Sequence, residues 1–180
     1  HGLDIDQRAY QLAYFAVMMK GRGYNRRFLR GRDGKPEPKV YVIVESNEIN
    51  RNHLKFFGTH LSELERNLAV MQIEELLDTF KDAREYGAIL DVYACDWGLV
   101  KKFVDDLGAS GQISFENVGS EETQNRLKKL VRVAKILGQK YDAVVTNPPY
   151  MGASGMGNKL SKFVKDNYPD SKSDLFAVFI

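Results

Sequence analysis

The chain has 180 residues, of which 43% are hydrophobic and 28% are charged, so it is long enough for one domain of ordinary size with a real core. Its formal net charge is +2, and its single cysteine, Cys95, excludes an internal disulfide and fits a reducing compartment. No apolar run approaches the ~18 residues of a membrane-spanning helix, and the start lacks signal-peptide features. We therefore expect a cytoplasmic protein that has no membrane contact.

The first elements in chain order are a short strand, GLDID, and a helix. Asp6 is a suitable N-cap for this helix, and Gly21 and Gly23 predict its end. Apolar residues recur between them at helical spacing, at Ala9, Leu12, Ala13, Ala16, Val17 and Met19.

A basic, glycine-rich segment follows at 20–39, with eight Lys or Arg residues. Such a segment is typical of a solvated linker, although it can also neutralise phosphates. The candidate phosphate-binding side chains are Arg26, Arg27, Arg30 and Arg32.

The next segment, VYVIVES at 40–46, is β-branched, aromatic and almost wholly apolar, which predicts a strand buried on both faces. From about Ile49 to Leu137 the pattern becomes helical. Ser62 and Glu65 form a predicted capping box, and an apolar stripe continues that helix towards Gly87. The stripe consists of Leu64, Leu68, Met71, Leu76 and Phe80.

Two further helices are predicted at 96–107 and 121–137, and YDAVVT at 141–146 predicts a last buried strand. The order of strand, helix, strand, helical insertion and strand predicts an α/β domain with a parallel sheet. Ligands of such sheets bind beyond the carboxyl ends of the strands. Asp4 lies at one such end and is placed to accept hydrogen bonds from a ribose.

The last strand leads into Asn147-Pro148-Pro149-Tyr150. The two prolines restrict the backbone and would aim the Asn147 side-chain oxygen and the Pro148 carbonyl at one point. Two such acceptors suit a planar –NH2 group, and Tyr150 adds a flat face for a heterocycle. A simple proline turn explains the prolines but not their Asn and Tyr neighbours, so we favour the functional interpretation.

This motif resembles the catalytic motif of S-adenosyl-L-methionine-dependent amino-group methyltransferases, above all the adenine-specific DNA methyltransferases. GLDID is similar to the family's acidic strand end. By this resemblance, Asp4 would bind the cofactor ribose and Ile5 would pack against the cofactor adenine. VYVIVESN is similar to the next strand, whose end would bring Ser46 or Asn47 near the adenine edge. SDLFAVFI at 173–180 resembles the helical motif after the catalytic loop.

The two ends of the chain are most similar to the PglX-type adenine methyltransferases of bacterial BREX phage-defence systems. The resemblance implies a partial Rossmann-like methyltransferase fold, without its first strand and glycine-rich motif, so we expect the segment alone to be inactive. It divides the chain into a cofactor-side part (1–48), a mainly helical insertion (49–137) and a catalytic part (138–180).

The resemblance further implies methyl transfer to the 6-amino group of an adenine flipped out of double-stranded DNA, with other defence-system proteins as possible partners. The catalytic residues would be Asn147, Pro148, Pro149 and Tyr150. No metal is expected, because the three histidines lack metal-ligand spacing.

Two alternatives stay open. Methyltransferases that modify the glutamine amide of translation release factors use the same Asn-Pro-Pro-Tyr motif, because an amide presents the same two donors. A non-catalytic module that retains the fold to bind DNA or a partner protein is the second alternative.

Overall fold

A computed structural model describes residues 1–30, 37–108 and 118–180, and a parallel strand pair begins the fold. β1 (Gly2–Asp4) pairs with β2 (Val40–Val42), with Gly2 opposite Val40 and Asp4 opposite Val42. The Ile43 amide donates to the Asp4 carbonyl at 2.8 Å. The predicted parallel α/β unit is therefore present, but β2 is shorter than predicted and only half-buried.

The helix α1 (Gln7–Tyr24) connects the two strands. Its predicted cap is confirmed, because Asp6 accepts from the Arg8 and Ala9 amides at 2.6 and 3.1 Å. Its predicted end is wrong, since the helix continues through both glycines. A Cβ at Gly21 would lie 2.6 Å from the Phe28 ring, so this glycine permits close packing and does not stop the helix.

The predicted apolar face of α1 is not a core face in the part of the chain that the structure describes. None of the helix residues is buried, and Leu12 is 68% exposed. Beyond the helix, Arg32 of the basic segment lies outside the described residues.

The segment between Ile49 and Leu137 is mainly helical, as its pattern predicts. Its capping box is present, with Ser62 accepting from the Glu65 amide and Glu65 accepting from the Ser62 amide. The α-helices described between Ile49 and Leu137 are α2 (Glu63–Thr79), α3 (Ala83–Tyr86), α4 (Trp97–Asp105) and α5 (Ser120–Leu137).

The stripe predicted for α2 is only half correct. Leu76 and Phe80 are buried, but Leu64, Leu68 and Met71 are exposed. The helix instead turns the neighbouring stripe inward, and the additional buried residues are Ala69, Ile73 and Leu77. The main core packs α2, α4 and α5 around Phe57, Phe80 and Phe103, each fully buried.

The prediction of a buried strand at 141–146 is wrong for the described structure. The segment belongs to no strand, and Val144 and Val145 are 77% and 97% exposed. A strand needs a hydrogen-bonded neighbour, and none of the described residues pairs with this backbone. The apolar pattern was recognised, but its pairing partner is not among the described residues.

The C-terminal part forms a second, smaller core beneath the NPPY loop. It contains α6 (Asn158–Asn167) and α7 (Leu175–Val178). Its buried residues are Ile89, Met156, Leu160, Val164, Leu175 and Val178. Tyr86 and Phe163 stack with centroids 4.2 Å apart and border both cores.

We expect Phe103→Ala to destabilise the protein by about 3–5 kcal/mol, because it leaves a cavity beside Phe57 in the main core. The free energy of unfolding in urea measures this effect. Leu64→Ala is the control, since Leu64 is 71% exposed and should change stability by less than about 0.5 kcal/mol. Equal losses in the two variants would contradict the packing described.

Candidate active site

The NPPY loop presents two hydrogen-bond acceptors that have no protein partner in the described structure. Asn147 is exposed and Pro148 is buried. Neither the Asn147 side chain nor the Pro148 carbonyl accepts a hydrogen bond from another described residue. Both oxygens therefore lack a protein donor among the described residues.

A short antiparallel pairing holds the chain directly after Tyr150. The Leu175 amide donates to the Met151 carbonyl at 2.9 Å, and the Ala153 amide donates to the Ser173 carbonyl at 3.0 Å. Gly152 therefore lies opposite Asp174. These bonds attach the NPPY loop to the start of α7.

Tyr150 stacks on Phe176, whose amide is capped by the Asp174 carboxylate at 3.0 Å. The two ring centroids are 5.7 Å apart and the rings are within 14° of parallel. Tyr150 is nevertheless 83% exposed, so most of its surface is open to a ligand. Sequence reasoning missed Phe176, because the pairing that brings it to Tyr150 has no local sequence signal.

The predicted cofactor residues Asp4 and Ile5 lie at the carboxyl end of β1. The Asp4 Oδ1 atom accepts from the Asp6 amide at 2.8 Å, and its second oxygen has no hydrogen-bond partner among the described residues. Ile5 is half-exposed and lies beside Gly87, where a Cβ would be 3.3 Å from Ile5 Cγ2. A carboxylate oxygen and an adjacent apolar surface are thus available together.

The other two predicted cofactor residues already have structural partners. The buried Ser46 hydroxyl donates to the Leu77 carbonyl at 2.5 Å, and the Ser46 amide donates to the Phe80 carbonyl at 3.0 Å. Asn47 makes two bonds to Asp82, one from its Nδ2 to Oδ1 at 2.8 Å and one from the Asp82 amide to its Oδ1 at 2.9 Å. One Nδ2 hydrogen of Asn47 remains for a ligand.

Asp82 connects this edge of the sheet with the part of the chain after the NPPY loop. Lys159, in the first turn of α6, donates to Asp82 Oδ1 at 2.9 Å, and Asp82 in turn binds Asn47. The Lys159 hydrogen bond, followed by that of Asn47, holds the pKa of the Asp82 carboxyl below its ordinary value. Asp82 raises the pKa of Lys159 in return.

The structure therefore brings Asn47 into a network with α6, and Tyr150 into contact with α7. Within the described ranges, no hydrogen bond joins Asn147 directly to Asp4, Ile5, Ser46 or Asn47. Sequence reasoning also missed Asp82 and Lys159. Asp82 has a left-handed backbone conformation, with φ 55°. This unusual conformation marks the residue in the structure, but the sequence does not reveal it.

Residues 1–30, 37–108 and 118–180 contain no group of His, Cys, Asp and Glu side chains that could hold a metal ion. Among the same residues, no helix combines the length and the apolar character that crossing a membrane requires.

Comparison with known proteins relates the whole chain to one family of enzymes. The model of the Eco57I restriction-modification methylases matches residues 1–180. The chain is 38% identical over 181 residues to the adenine-specific methyltransferase PglX of Lacticaseibacillus casei (strain Zhang). It is 35% identical over 197 residues to the adenine-specific methyltransferase BrxX of Escherichia coli O9:H4 (strain HS).

Both alignments cover 99% of this chain, but only 14% of PglX and 16% of BrxX. The chain thus spans about one-seventh of the length of these curated relatives.

We expect the wild-type protein to lose more thermal stability than Asp82→Asn when the pH falls below the ordinary carboxyl value of 3.8. The pKa of Asp82 is lower in the folded than in the unfolded chain, so the Asp82 carboxylate stabilises the folded protein above pH 3.8. This stabilisation disappears as the pH falls through the lowered pKa of the folded chain. Asn suits the same left-handed backbone. Melting temperatures measured across this range provide the test, and identical acid sensitivity would contradict the network.

Proposed function

The chain belongs to the family of Eco57I restriction-modification methylases, and from this membership we propose that the full-length protein methylates the 6-amino group of adenine in double-stranded DNA. The methyl donor would be S-adenosyl-L-methionine. The observation that carries the proposal is the pair of adjacent free acceptors, the Asn147 side-chain oxygen and the Pro148 carbonyl.

These acceptors match the chemistry of an aromatic amino group, which carries two N–H donors. If each oxygen accepts one hydrogen, the nitrogen is held in a fixed position and its lone pair becomes more available for bond formation. Positive charge develops on this nitrogen as it gains a methyl group, and the two oxygens stabilise that charge until a proton leaves. The loop therefore acts by positioning and electrostatics, with no enzyme nucleophile.

The base must leave the duplex to reach these oxygens, at a cost of a few kcal/mol. The exposed ring of Tyr150 supplies a stacking surface that offsets about 1–3 kcal/mol of this cost. Pro149 would hold Tyr150 directly behind the two acceptors, since its ring fixes the backbone φ at that position.

The sheet edge has free groups that fit the proposed cofactor. The unpaired Asp4 oxygen would accept from the ribose hydroxyls, Ile5 would pack against the adenine ring, and the remaining Nδ2 hydrogen of Asn47 would donate to the adenine edge. Ser46, with its hydroxyl already bonded to Leu77, would hold this turn in place. When bound, S-adenosyl-L-methionine supplies an electrophilic methyl group.

We infer that a Rossmann-like sheet is completed by residues outside this segment. A groove of about 520 Å³ separates β1 from the segment 143–146, and His1, Gly2, Leu3 and Val144 are among its lining residues. A strand in this groove would pair with the exposed backbone on either side and would cover Val144. The proposed division into 1–48, 49–137 and 138–180 assigns both borders of the groove to the methyltransferase domain and the helices between them to an insertion.

The description of the matching family favours a role in restriction-modification, and the resemblance to PglX-type methyltransferases favours one in phage defence. By this analogy, the protein would act on DNA in the bacterial cytoplasm, with other defence proteins as candidate partners. The segment 1–180 alone would be inactive, because the resemblance implies a fold without its first strand and glycine-rich motif. A protein glutamine acceptor and a purely DNA-binding role remain as outcomes of the tests below.

We expect Asn147→Ala in the full-length protein to lower kcat/KM for DNA methylation by at least about 100-fold, because one acceptor of the amino group is removed. Transfer of labelled methyl groups from S-adenosyl-L-methionine to DNA measures this loss. The melting temperature should hardly change, since the Asn147 side chain has no described protein partner. Asn52→Ala is the matched control, since Asn52 is also an exposed asparagine. Wild-type turnover by Asn147→Ala would exclude the mechanism.

We expect Tyr150→Ala to reduce kcat/KM by about 5- to 150-fold, the loss that corresponds to one base–aromatic stack. Tyr150→Phe retains the ring and should stay close to the wild type. The same transfer assay compares the three proteins. Equal losses in the Ala and Phe variants would assign the role to the hydroxyl group and contradict the stacking role.

A further inference from the structure

Phe176 contacts Tyr150 from α7, which begins directly after the short antiparallel pairing that follows the NPPY loop. Gly152 is paired with Asp174, and the bond from the Leu175 amide to the Met151 carbonyl continues the same register. Phe176 follows this pairing as the second residue of α7. The pairing therefore brings its ring next to the ring of Tyr150.

The contact between the two rings is a parallel stack. Their planes differ by 14° and their centroids are 5.7 Å apart, within the range of favourable offset stacking. Phe176 covers one face of Tyr150, yet Tyr150 remains 83% exposed. Its opposite face is therefore the one that a ligand can reach.

Phe176 has the more rigid attachment of the two residues. The Asp174 carboxylate caps its amide, and Leu175 and Val178, on the same short helix, are buried in the second core. Phe176 itself is 37% exposed, and its backbone is attached to that core through these two neighbours. Tyr150, by contrast, has no side-chain hydrogen bond to another described residue.

We propose that Phe176 is a positioning residue that holds the Tyr150 ring against α7, with its free face towards the flipped base. The inference rests on the proposed function, because it assigns Tyr150 the base-stacking role. An unsupported tyrosine at this exposure would sample several rotamers, and binding would have to select one of them. The stack on Phe176 fixes one rotamer of Tyr150 before the base binds.

The test uses Phe176→Leu and Phe176→Tyr in the full-length protein, each alone and combined with Tyr150→Ala. We expect Phe176→Leu to lower kcat/KM for DNA methylation by about 3- to 10-fold, the size of an aromatic stacking preference. Phe176→Tyr should restore most of the activity. With Tyr150→Ala already present, Phe176→Leu should cause no further loss, because the ring that it positions is gone.

Phe179→Leu is the matched control, since Phe179 packs against the same core and follows α7 directly. Phe179→Leu should change kcat/KM by the same factor in the wild-type protein and in the Tyr150→Ala variant. If Phe176→Leu behaves in this additive way, or if Phe176→Tyr is no better than Phe176→Leu, Phe176 is only a core residue and the proposal is overturned.

A second readout requires no turnover. With 3-fluorotyrosine at position 150, Phe176→Leu should shift the fluorine resonance because it removes the neighbouring ring, whereas Phe179→Leu should leave it in place. No shift would overturn the proposal whatever the protein methylates. A clear shift in a protein that forms no methyladenine would instead contradict the proposed function and, with it, the orientation towards a flipped base.

Discussion

The candidate site depends on one short backbone pairing, in which residues 151–153 are bonded to residues 173–175. The two prolines before Tyr150 donate no amide hydrogen bonds, so the NPPY loop cannot be held by a regular strand of its own. The pairing fixes the loop at its C-terminal end instead, while the second core supports the other side of the pairing. The loop that carries the two unpartnered acceptors and the Tyr150 ring is thereby attached to the second core.

A second connection runs from this unit to the edge of the parallel sheet. Lys159 on α6 binds Asp82, and Asp82 binds Asn47 just beyond β2. If Asn47 contacts the methyl donor and Tyr150 contacts the acceptor base, this network sets the relation between the two substrates. The helical segment between Ile49 and Leu137 contributes Asp82, so it would take part in aligning the site.

Features with local causes could be predicted from the sequence. The Asp6 cap, the Ser62–Glu65 capping box and the α5 helix each depend on residues within a few positions of one another. Features that depend on distant partners were missed or mistaken. The apolar pattern of Val144 and Val145 says that the segment suits a strand, but not which strand pairs with it. The stack of Phe176 on Tyr150 likewise depends on the pairing of residues 151–153 with residues 173–175, which no local pattern reveals.

The central claim is that the NPPY loop serves an adenine amino group, and the chemical identity of the methylated product tests it most directly. The full-length protein would be incubated with double-stranded DNA and methyl-labelled S-adenosyl-L-methionine, and the DNA would then be digested to nucleosides for mass analysis. The account predicts that the label appears in N6-methyladenine. Label in methylcytosine, or in protein glutamine with none in the nucleosides, would contradict it.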